Sequence, residues 1–231
     1  ERVEVLDLES DVVVYHPADH RLLLCDSLQK KDRFETFPAF SPDGRTLYFC
    51  SAEAKKIPEE YKEIRYNLCS IDFDPSAGKF GSRIDTLVNA EALGKSVSFP
   101  RPSYDGKYIM FTLSDYGNFS IWHKEADLWL LDLTSGDLRK LSEVNSDDTE
   151  SFHNWSSNSR WFVFSSRRGD GLYTRLYLAS MDENGKISKP FLLPQEDPET
   201  YYDRSVYSYN VPDFTSEPIK IDTREFEKKI T

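Results

Sequence analysis

One segment occurs three times in this 231-residue chain, with small changes between its copies. The copies read FPAFSPDGRTLYF from Phe37 to Phe49, FPRPSYDGKYIMF from Phe99 to Phe111, and FHNWSSNSRWFVF from Phe152 to Phe164. They begin 62 and 53 residues apart, a period typical of one four-stranded sheet in a radial array and not of a helical pair. The repeat therefore predicts an all-β fold of similar sheets.

The centre of each copy is typical of a tight hairpin. In Ser41–Gly44 (SPDG), proline presets φ at the second turn position and glycine accepts the positive φ at the fourth. The third copy has Ser157–Ser159 in place of Pro-Asp-Gly, which predicts a weaker turn. The segments after the turns are almost continuously apolar, which indicates strands covered on both faces: Thr46–Cys50, Tyr108–Thr112 and Trp161–Ser165.

The same pattern predicts four strands per sheet, named A to D from a central axis outward. For the second sheet they are Phe99–Ser103, Tyr108–Leu113, Asp127–Leu133 and Asp137–Leu141. Strands C and D are Tyr66–Phe73 and Lys79–Val88 in the first sheet, and Arg175–Met181 and Lys186–Leu193 in the third. Outside these sheets we predict a C and D pair at Asp11–Tyr15 and Arg21–Ser27, one strand at Ser205–Pro212, and a short helix at Thr223–Ile230.

These assignments predict one β-propeller domain of about three complete four-stranded antiparallel blades plus partial blades. The half blade is residues 1–28, the blades are 37–93, 97–145 and 151–194, and residues 195–231 are a C-terminal strand and tail. Three and a half blades are few for a closed ring. We therefore expect either that the chain is a piece of a larger propeller or that its C-terminal strand completes the N-terminal half blade. The start at Glu1, without Met, fits processing and a cut chain equally well.

Composition excludes several classes of function. A formal charge of −11 argues against general nucleic-acid binding, which needs a basic surface. No apolar run is long enough to predict a membrane span. The three cysteines, Cys25, Cys50 and Cys69, lack CxxC spacing, so we expect buried thiols, with a Cys50–Cys69 disulfide as the alternative.

The SPDG-centred repeat with its following LYF-like strand resembles the WD40-like propeller repeat of TolB-type proteins, the PD40 repeat. Residues 116–133 (YGNFSIWHKEADLWLLDL) and 153–177 (HNWSSNSRWFVFSSRRGDGLYTRLY) are similar to a TolB-like group found in Bacteroidetes. The resemblance spans roughly Asp11 to Pro212 and implies a six-bladed family of exported, periplasmic or cell-envelope proteins that bind proteins or ligands. It does not extend to the N-terminal domain of TolB, so no role in the Tol system is implied.

The long B-to-C connections, residues 51–65, 114–126 and 166–174, share one face of such a disc and are the expected place for binding groups. We predict a pocket there for a small anionic ligand or an acidic protein segment, because arginine forks match carboxylates and aromatic faces stack on rings. The candidate ligand-binding residues are Arg167, Arg168, Arg175, Tyr173, His153, Trp122 and His123.

Each candidate also has a purely structural interpretation. Arg167 and Arg168 can pair with Asp127 or Asp132, Trp122 and Trp155 can wedge between blades, and His153 can be a satisfied inner-strand histidine. The four histidines are widely spread and no G-x-S-x-G motif occurs, so we predict no catalytic residue, no metal site and no cofactor.

The sequence therefore favours a non-catalytic, TolB-like binding module of the bacterial cell envelope, with a protein or small anionic ligand as its partner. Two alternatives stay open. One is a metal-dependent, polysaccharide lyase-like enzyme that acts on anionic saccharides, and the other is a structural module that pairs through exposed blade edges.

Overall fold

The computed structural model describes residues 6–204 and 206–219. The strands of this part are β1 (Val14–His16), β2 (Arg21–Leu23), β3 (Arg33–Phe40), β4 (Thr46–Glu53), β5 (Asn67–Asp74), β6 (Lys79–Val88), β7 (Ser96–Pro102), β8 (Tyr108–Ser114), β9 (Asp127–Asp132), β10 (Leu138–Lys140), β11 (Glu150–Trp155), β12 (Trp161–Ser166), β13 (Arg175–Ser180) and β14 (Phe191–Leu192). Short 3₁₀ helices span Asp26–Leu28, Tyr61–Glu63, Glu91–Leu93 and Ser120–Trp122, and a π-helical turn spans Glu199–Asp203.

Strands β3–β6, β7–β10 and β11–β14 form three four-stranded antiparallel sheets in sequence order, which we name blades I, II and III. Strands β1 and β2 form a two-stranded antiparallel sheet before them. The first strands of successive blades contact one another, β3 with β7 and β7 with β11, as expected where inner strands surround an axis. The predicted all-β propeller fold is confirmed.

The second strand of each blade is buried on both faces, as its continuous apolarity predicts. In β8, Ile109, Phe111 and Leu113 pack toward blade I, whereas Met110 packs toward blade III. A third cluster joins Val12 and Leu28 to the outer face of blade I. A sheet between two others therefore contributes one face to each of two hydrophobic interfaces. Burial of apolar area between blades is the main force that holds them together.

A serine and an acidic or amide side chain fix the hairpin turn in all three copies. In blade I, the Ser41 hydroxyl donates to Asp43 Oδ1 (2.6 Å) and accepts from the Thr46 amide (2.9 Å). The same pair of bonds recurs at Ser103 in blade II and at Ser156 in blade III. The recurring serine thus closes the loop from both sides, because one hydroxyl serves as donor and acceptor at once.

Several local predictions are wrong at the ends of the chain. No strand forms in the described residues 206–212; the Tyr209 amide instead donates one bond to the Thr174 carbonyl (3.1 Å). The last strand of blade III is reduced to Phe191–Leu192, with an isolated Met181–Ile187 bridge before it. The predicted helix at 223–230 lies outside the described residues.

The alternative of a Cys50–Cys69 disulfide is also wrong. Cys50 pairs with Leu68 across the β4–β5 ladder and Cys69 pairs with Phe49, so the two thiols lie on opposite faces of one sheet. All three cysteines are free. Side chains that point to opposite faces cannot meet the geometry of a disulfide.

Candidate functional site

A cavity of about 330 Å³ lies between blades I and II, where their B-to-C connections meet the inner strands. Its lining is mostly apolar and aromatic: Leu6, Asp7, Ser10, Phe34, Thr36, Phe37, Ile57, Ile64, Tyr66, Phe99, Gly117, Asn118, Phe119, Ser120 and Phe152. The volume is at the lower end of the range for small-molecule pockets, about 300–1,000 Å³. This cavity is the candidate functional site.

Three phenylalanines, each the first residue of a repeat copy, line the axial side of the cavity. Phe37, Phe99 and Phe152 have φ values of 52°, 54° and 49°, and each lies at a break in the register between the first two strands of its blade. The Phe37 and Phe99 ring centroids are 4.3 Å apart and those of Phe99 and Phe152 are 4.6 Å apart. A bulky residue at positive φ is strained, and such strain persists only where surrounding contacts over-determine it. We call this row the phenylalanine ladder.

The outer wall forms where the blade II connection contacts the blade I connection. The Gly117 amide donates to the Ile64 carbonyl (3.0 Å), and a Cβ at Gly117 would lie 2.5 Å from the Tyr66 ring. The Tyr61 and Tyr116 rings meet edge to face at 5.8 Å. Only glycine lets the backbone approach the Tyr66 ring this closely.

The remaining wall is a segment of residues 6–12, which we call the strap. Leu6, Asp7 and Ser10 face the cavity, and Val12 is buried against blade I. The Ser10 carbonyl accepts a 2.9 Å bond from the Glu35 amide. The equivalent amides of the next two blades, Val97 and Glu150, donate to the carbonyls of Tyr66 and Ala126, where the B-to-C connection of the preceding blade ends. The strap therefore takes the place that such a connection has in the other blades.

The seven residues predicted to bind a ligand lie elsewhere, and none of them lines this cavity. Arg167 is nearly buried; its guanidinium lies 4.4 Å from the Trp122 ring centroid and donates to the Gly171 carbonyl. His123 is buried against Tyr116, with its Nδ1 3.2 Å from Glu125 Oε1.

Arg168, which is partly exposed, forms an ion pair with a fully buried carboxylate. Its Nη2 lies 2.9 Å from Oε1 of Glu150, a fully buried residue, and 2.5 Å from the Val144 carbonyl. Burial raises the pKa of Glu150, while its bonds to Ser146 and the charge of Arg168 oppose that rise. The proposed partners Asp127 and Asp132 serve other groups: Asp127 pairs with Lys140 and Asp132 accepts from turn amides.

Arg175 and His153 also contact protein groups. Arg175 donates to the carbonyls of Tyr207 (2.6 Å) and Tyr202 (2.9 Å), and its guanidinium lies 5.4 Å from the Tyr173 ring centroid. The His153 Nε2 lies 2.9 Å from the Met110 carbonyl, and burial lowers the pKa of His153 to about 3. The structure therefore pairs Arg167 with Trp122 and Arg175 with Tyr173, but it does not gather the seven residues in one pocket.

Sequence reasoning missed the phenylalanine ladder, although its signal was present. The first phenylalanine recurs in every copy, but periodicity cannot reveal that it sits on a bulge at positive φ. Among the described residues, no three His, Cys, Asp or Glu side chains are grouped so that they could hold a metal ion. No helix in residues 6–204 and 206–219 has the length and apolarity needed to cross a bilayer.

Comparisons with known proteins place the fold but not the family. No protein-family model and no curated protein matches the sequence. An oligogalacturonate lyase solved in complex with manganese is similar in structure, with 12% identity and a TM-score of 0.55, over 80% of this chain and 49% of that one. A puromycin-hydrolyzing peptidase from Mycobacterium tuberculosis is similar over 84% of this chain and 30% of that one, with 16% identity and a TM-score of 0.50.

TolB from Acinetobacter baumannii is similar over 67% of this chain and 31% of that one, with 18% identity and a TM-score of 0.40. The chain thus spans less than half the length of each of these structures. At such identities the likeness carries fold alone, and a fold of this kind hosts many functions. Membership in a Bacteroidetes TolB-like group stays a prediction. The three antiparallel sheets and the similar solved structures establish that the chain has an all-β, propeller-type fold.

Proposed function

We propose that the chain is a non-catalytic binding module whose ligand site is the cavity between blades I and II. The observation that carries the proposal is the cavity itself, a concave and mainly apolar space between connections that a rigid pair of blades holds at both ends. Strained backbone at three equivalent positions of its wall adds support, since such strain concentrates at ligand sites.

The lining favours an uncharged, mainly apolar ligand group over an anion. Among the described residues, the lining includes no lysine or arginine, and Asp7 is the one charged side chain there. The arginines predicted to bind an anion are bonded to protein groups on blade III. Burial of one leucine- or phenylalanine-sized side chain contributes about 1.5–3 kcal/mol, so we propose that the site accepts a hydrophobic side chain of a partner protein.

The proposal is tested by titrating the ¹⁵N-labelled protein with N-acetyl-L-phenylalanine amide and, separately, with N-acetyl-L-glutamate amide. We expect amide shifts around Tyr66, Gly117 and Phe152 with the phenylalanine probe only. Shifts confined to blade III, or equal responses to both probes, would contradict the proposal.

Phe119 provides the variant for the same titration. It is 45% exposed, lines the cavity and has a φ of 46°, so Phe119→Asn removes a wall ring with a residue that tolerates this backbone. Loss of about 1 kcal/mol of apolar contact weakens binding about fivefold. Leu172→Asn is the control, because Leu172 is 64% exposed and lies outside the cavity.

We also propose that the module acts at the bacterial cell envelope. The support is the resemblance of the repeat to TolB-type proteins, many of which act outside the cytoplasm. Fractionation of the native cells by osmotic shock, with antibody detection, tests this part by itself. Recovery with cytoplasmic markers would contradict the location and would leave the binding proposal standing.

A further inference from the structure

Glu35, the residue of blade I whose backbone amide bonds to the strap, carries a buried carboxyl group. Glu35 is 1% exposed, and its amide holds the Ser10 carbonyl of the strap at 2.9 Å. Ser10 and Asp7 of the strap form part of the cavity wall together with Tyr66. A change at Glu35 therefore acts on a segment that shapes the candidate site.

The Glu35 carboxyl group has few partners. Its Oε1 accepts one bond from the Ser51 hydroxyl (3.2 Å) and lies 3.9 Å from Arg33 Nε. Its Oε2 is buried and has no hydrogen-bond partner in the part of the chain that the structure describes. An ionised carboxylate in this position lacks most of the hydrogen bonds that water would provide.

In blade III, Glu150 occupies the position equivalent to Glu35, and its carboxylate has several hydrogen-bond donors. Glu150 stands opposite Ser166 as Glu35 stands opposite Ser51, and its amide makes the equivalent backbone bond. There Arg168 lies 2.9 Å away, the Ser166 hydroxyl donates at 2.8 Å, and the Ser146 amide and hydroxyl donate at 2.9 and 2.6 Å. The Glu150 carboxylate thus has a cation and three further hydrogen-bond donors, whereas the Glu35 carboxyl group has one donor.

The charges around Glu35 come from several elements. Burial is the largest effect and raises its pKa to about 7; the Ser51 bond and the charges of Arg33 and Lys30 oppose the rise, while Asp11 of the strap adds to it. Among the described residues, Tyr66 and Cys69 are the other titratable groups near it, and both are buried. The like charge of Asp11 means that ionised Glu35 and the seated strap oppose each other.

We propose that Glu35 is a proton-operated latch for the strap: the neutral carboxyl group lets the strap seat against blade I, and the ionised carboxylate releases it to gain water. The consequence for ligands rests on the proposed function, because a ligand in the cavity contacts the seated strap. Such a ligand binds more tightly in acid, since proton binding and ligand binding favour the same seated state.

The direction of the effect follows from the raised pKa. The seated state binds the proton more tightly than the released state, in which the carboxyl group has an ordinary pKa near 4.5. Seating is therefore fully favoured below about pH 4.5 and weakens about tenfold per pH unit up to about pH 7, where the effect levels off. We expect a total change on the order of 100-fold between pH 4.5 and pH 7.5.

Hydrogen exchange of the Glu35 amide measures the latch without any ligand, because that amide makes the bond to the strap. The readout is its protection factor in the full chain, which divides out the intrinsic pH dependence of exchange. We expect protection of Glu35 to fall on the order of 100-fold from pH 4.5 to pH 7.5. The equivalent amide of Val97 is the internal control, and its protection should not fall as the pH rises.

Two variants keep the test decisive. The glutamine in Glu35→Gln cannot ionise and keeps an acceptor for Ser51. The backbone amide of residue 35 should therefore stay protected at every pH in this variant. Asp11→Asn removes the like charge from the strap and should move the wild-type transition to lower pH. A wild-type protection factor that is level with pH, or a Glu35→Gln profile that still falls, would overturn the latch.

The exchange result is independent of the ligand probes, so the two proposals fail separately. If the latch titrates and no phenylalanine amide binds, the proposed function fails and the latch stands. If the amide binds with the same affinity at pH 5 and pH 7.5 in the wild type, the linkage between latch and ligand is overturned.

Discussion

The backbone amide of Asp105 in blade II donates a 2.9 Å hydrogen bond to the hydroxyl of Ser159 in blade III. Ser159 stands where the first two copies of the repeat have Gly44 and Gly106, and it adopts the same left-handed backbone, with φ of 58° against 69° and 70°. The third copy thus exchanges an unstrained turn for a bond between blades. The predicted weakness of this turn is offset by a contact that the sequence does not reveal.

Substitutions at Ser159 separate the strain from the bond. Ser159→Ala keeps the strained backbone and loses the bond to Asp105, so it should lower the free energy of unfolding by about 1 kcal/mol. Ser159→Gly loses the same bond but relieves about 1 kcal/mol of left-handed strain and should stay close to the wild type. Urea denaturation measures both. An alanine variant as stable as the wild type would show that the bond contributes nothing.

Gly44→Ala calibrates the strain alone. A Cβ at Gly44 meets no atom within 4 Å, so the substitution adds only the cost of placing a side chain at φ of 69°. We expect a loss of about 1 kcal/mol in the free energy of unfolding. The same urea titration measures it, and no loss would remove the premise of the Ser159 comparison.

Removal of Arg168 should be more damaging than removal of an exposed arginine. Arg168→Met leaves the Glu150 carboxylate buried without its cation, at a cost of about 3–5 kcal/mol in the free energy of unfolding. Adding Glu150→Gln should recover a large part of that loss. Purely additive effects in this double-mutant cycle would contradict the ion pair.

The matched control for Arg168 is Arg160, whose pair with Glu183 is exposed on both sides. Arg160→Met should leave the unfolding free energy essentially unchanged, because exposed pairs are screened by solvent and salt. A loss as large as that of Arg168→Met would show that charge number, and not burial, governs these arginines. Denaturation in urea at two salt concentrations measures the difference.

Gly117→Ala tests the contact between the two connections. The new Cβ would overlap the Tyr66 ring, so either the ring or the connection must move, at a cost of about 1–3 kcal/mol in the free energy of unfolding. Gly169→Ala is the control, because a Cβ there meets nothing within 4 Å, and it should change stability by less than about 0.5 kcal/mol. Thermal denaturation of both variants decides, and equal melting temperatures would argue against a tight contact at Tyr66.

His153 should make the protein less stable in acid. Its pKa is lowered to about 3 by burial, so below pH 6.5 the unfolded chain takes up a proton that the folded protein does not. Stability is lost as pH falls from about 6.5 toward 3, by up to about 1.4 kcal/mol per pH unit. His153→Gln should flatten this slope in urea denaturation between pH 6.5 and 4.5, and an unchanged slope would contradict the assignment.

The local chemistry of the blades was predictable from sequence because it depends on neighbours in the chain. The turn at Ser41–Gly44 needs a hydroxyl, a carboxylate and a glycine within four residues, and the next strand needs only continuous apolarity. The fold class followed, since a hairpin that repeats with both faces apolar must stack between similar sheets.

The site was not predictable in the same way. Arg168 and Arg175 look like anion-binding groups in sequence, yet they bond to Glu150 and to the carbonyls of Tyr202 and Tyr207. The acceptor that each arginine meets lies far from it in the chain. A local sequence pattern therefore cannot show whether an arginine is already bonded within the protein or is available to a ligand.

Turn residues and continuous apolar runs in the printed chain were enough to predict the hairpins, the buried strands and the radial fold, because these features depend on neighbours in sequence and on the spacing of the repeat. The ladder of Phe37, Phe99 and Phe152 beside a cavity, and the burial of Glu35, could be seen only in the folded protein. Those features arise where separate blades meet. Packing between blades fixes the partners, burial and ionisation of each side chain, and these are properties of pairs of segments.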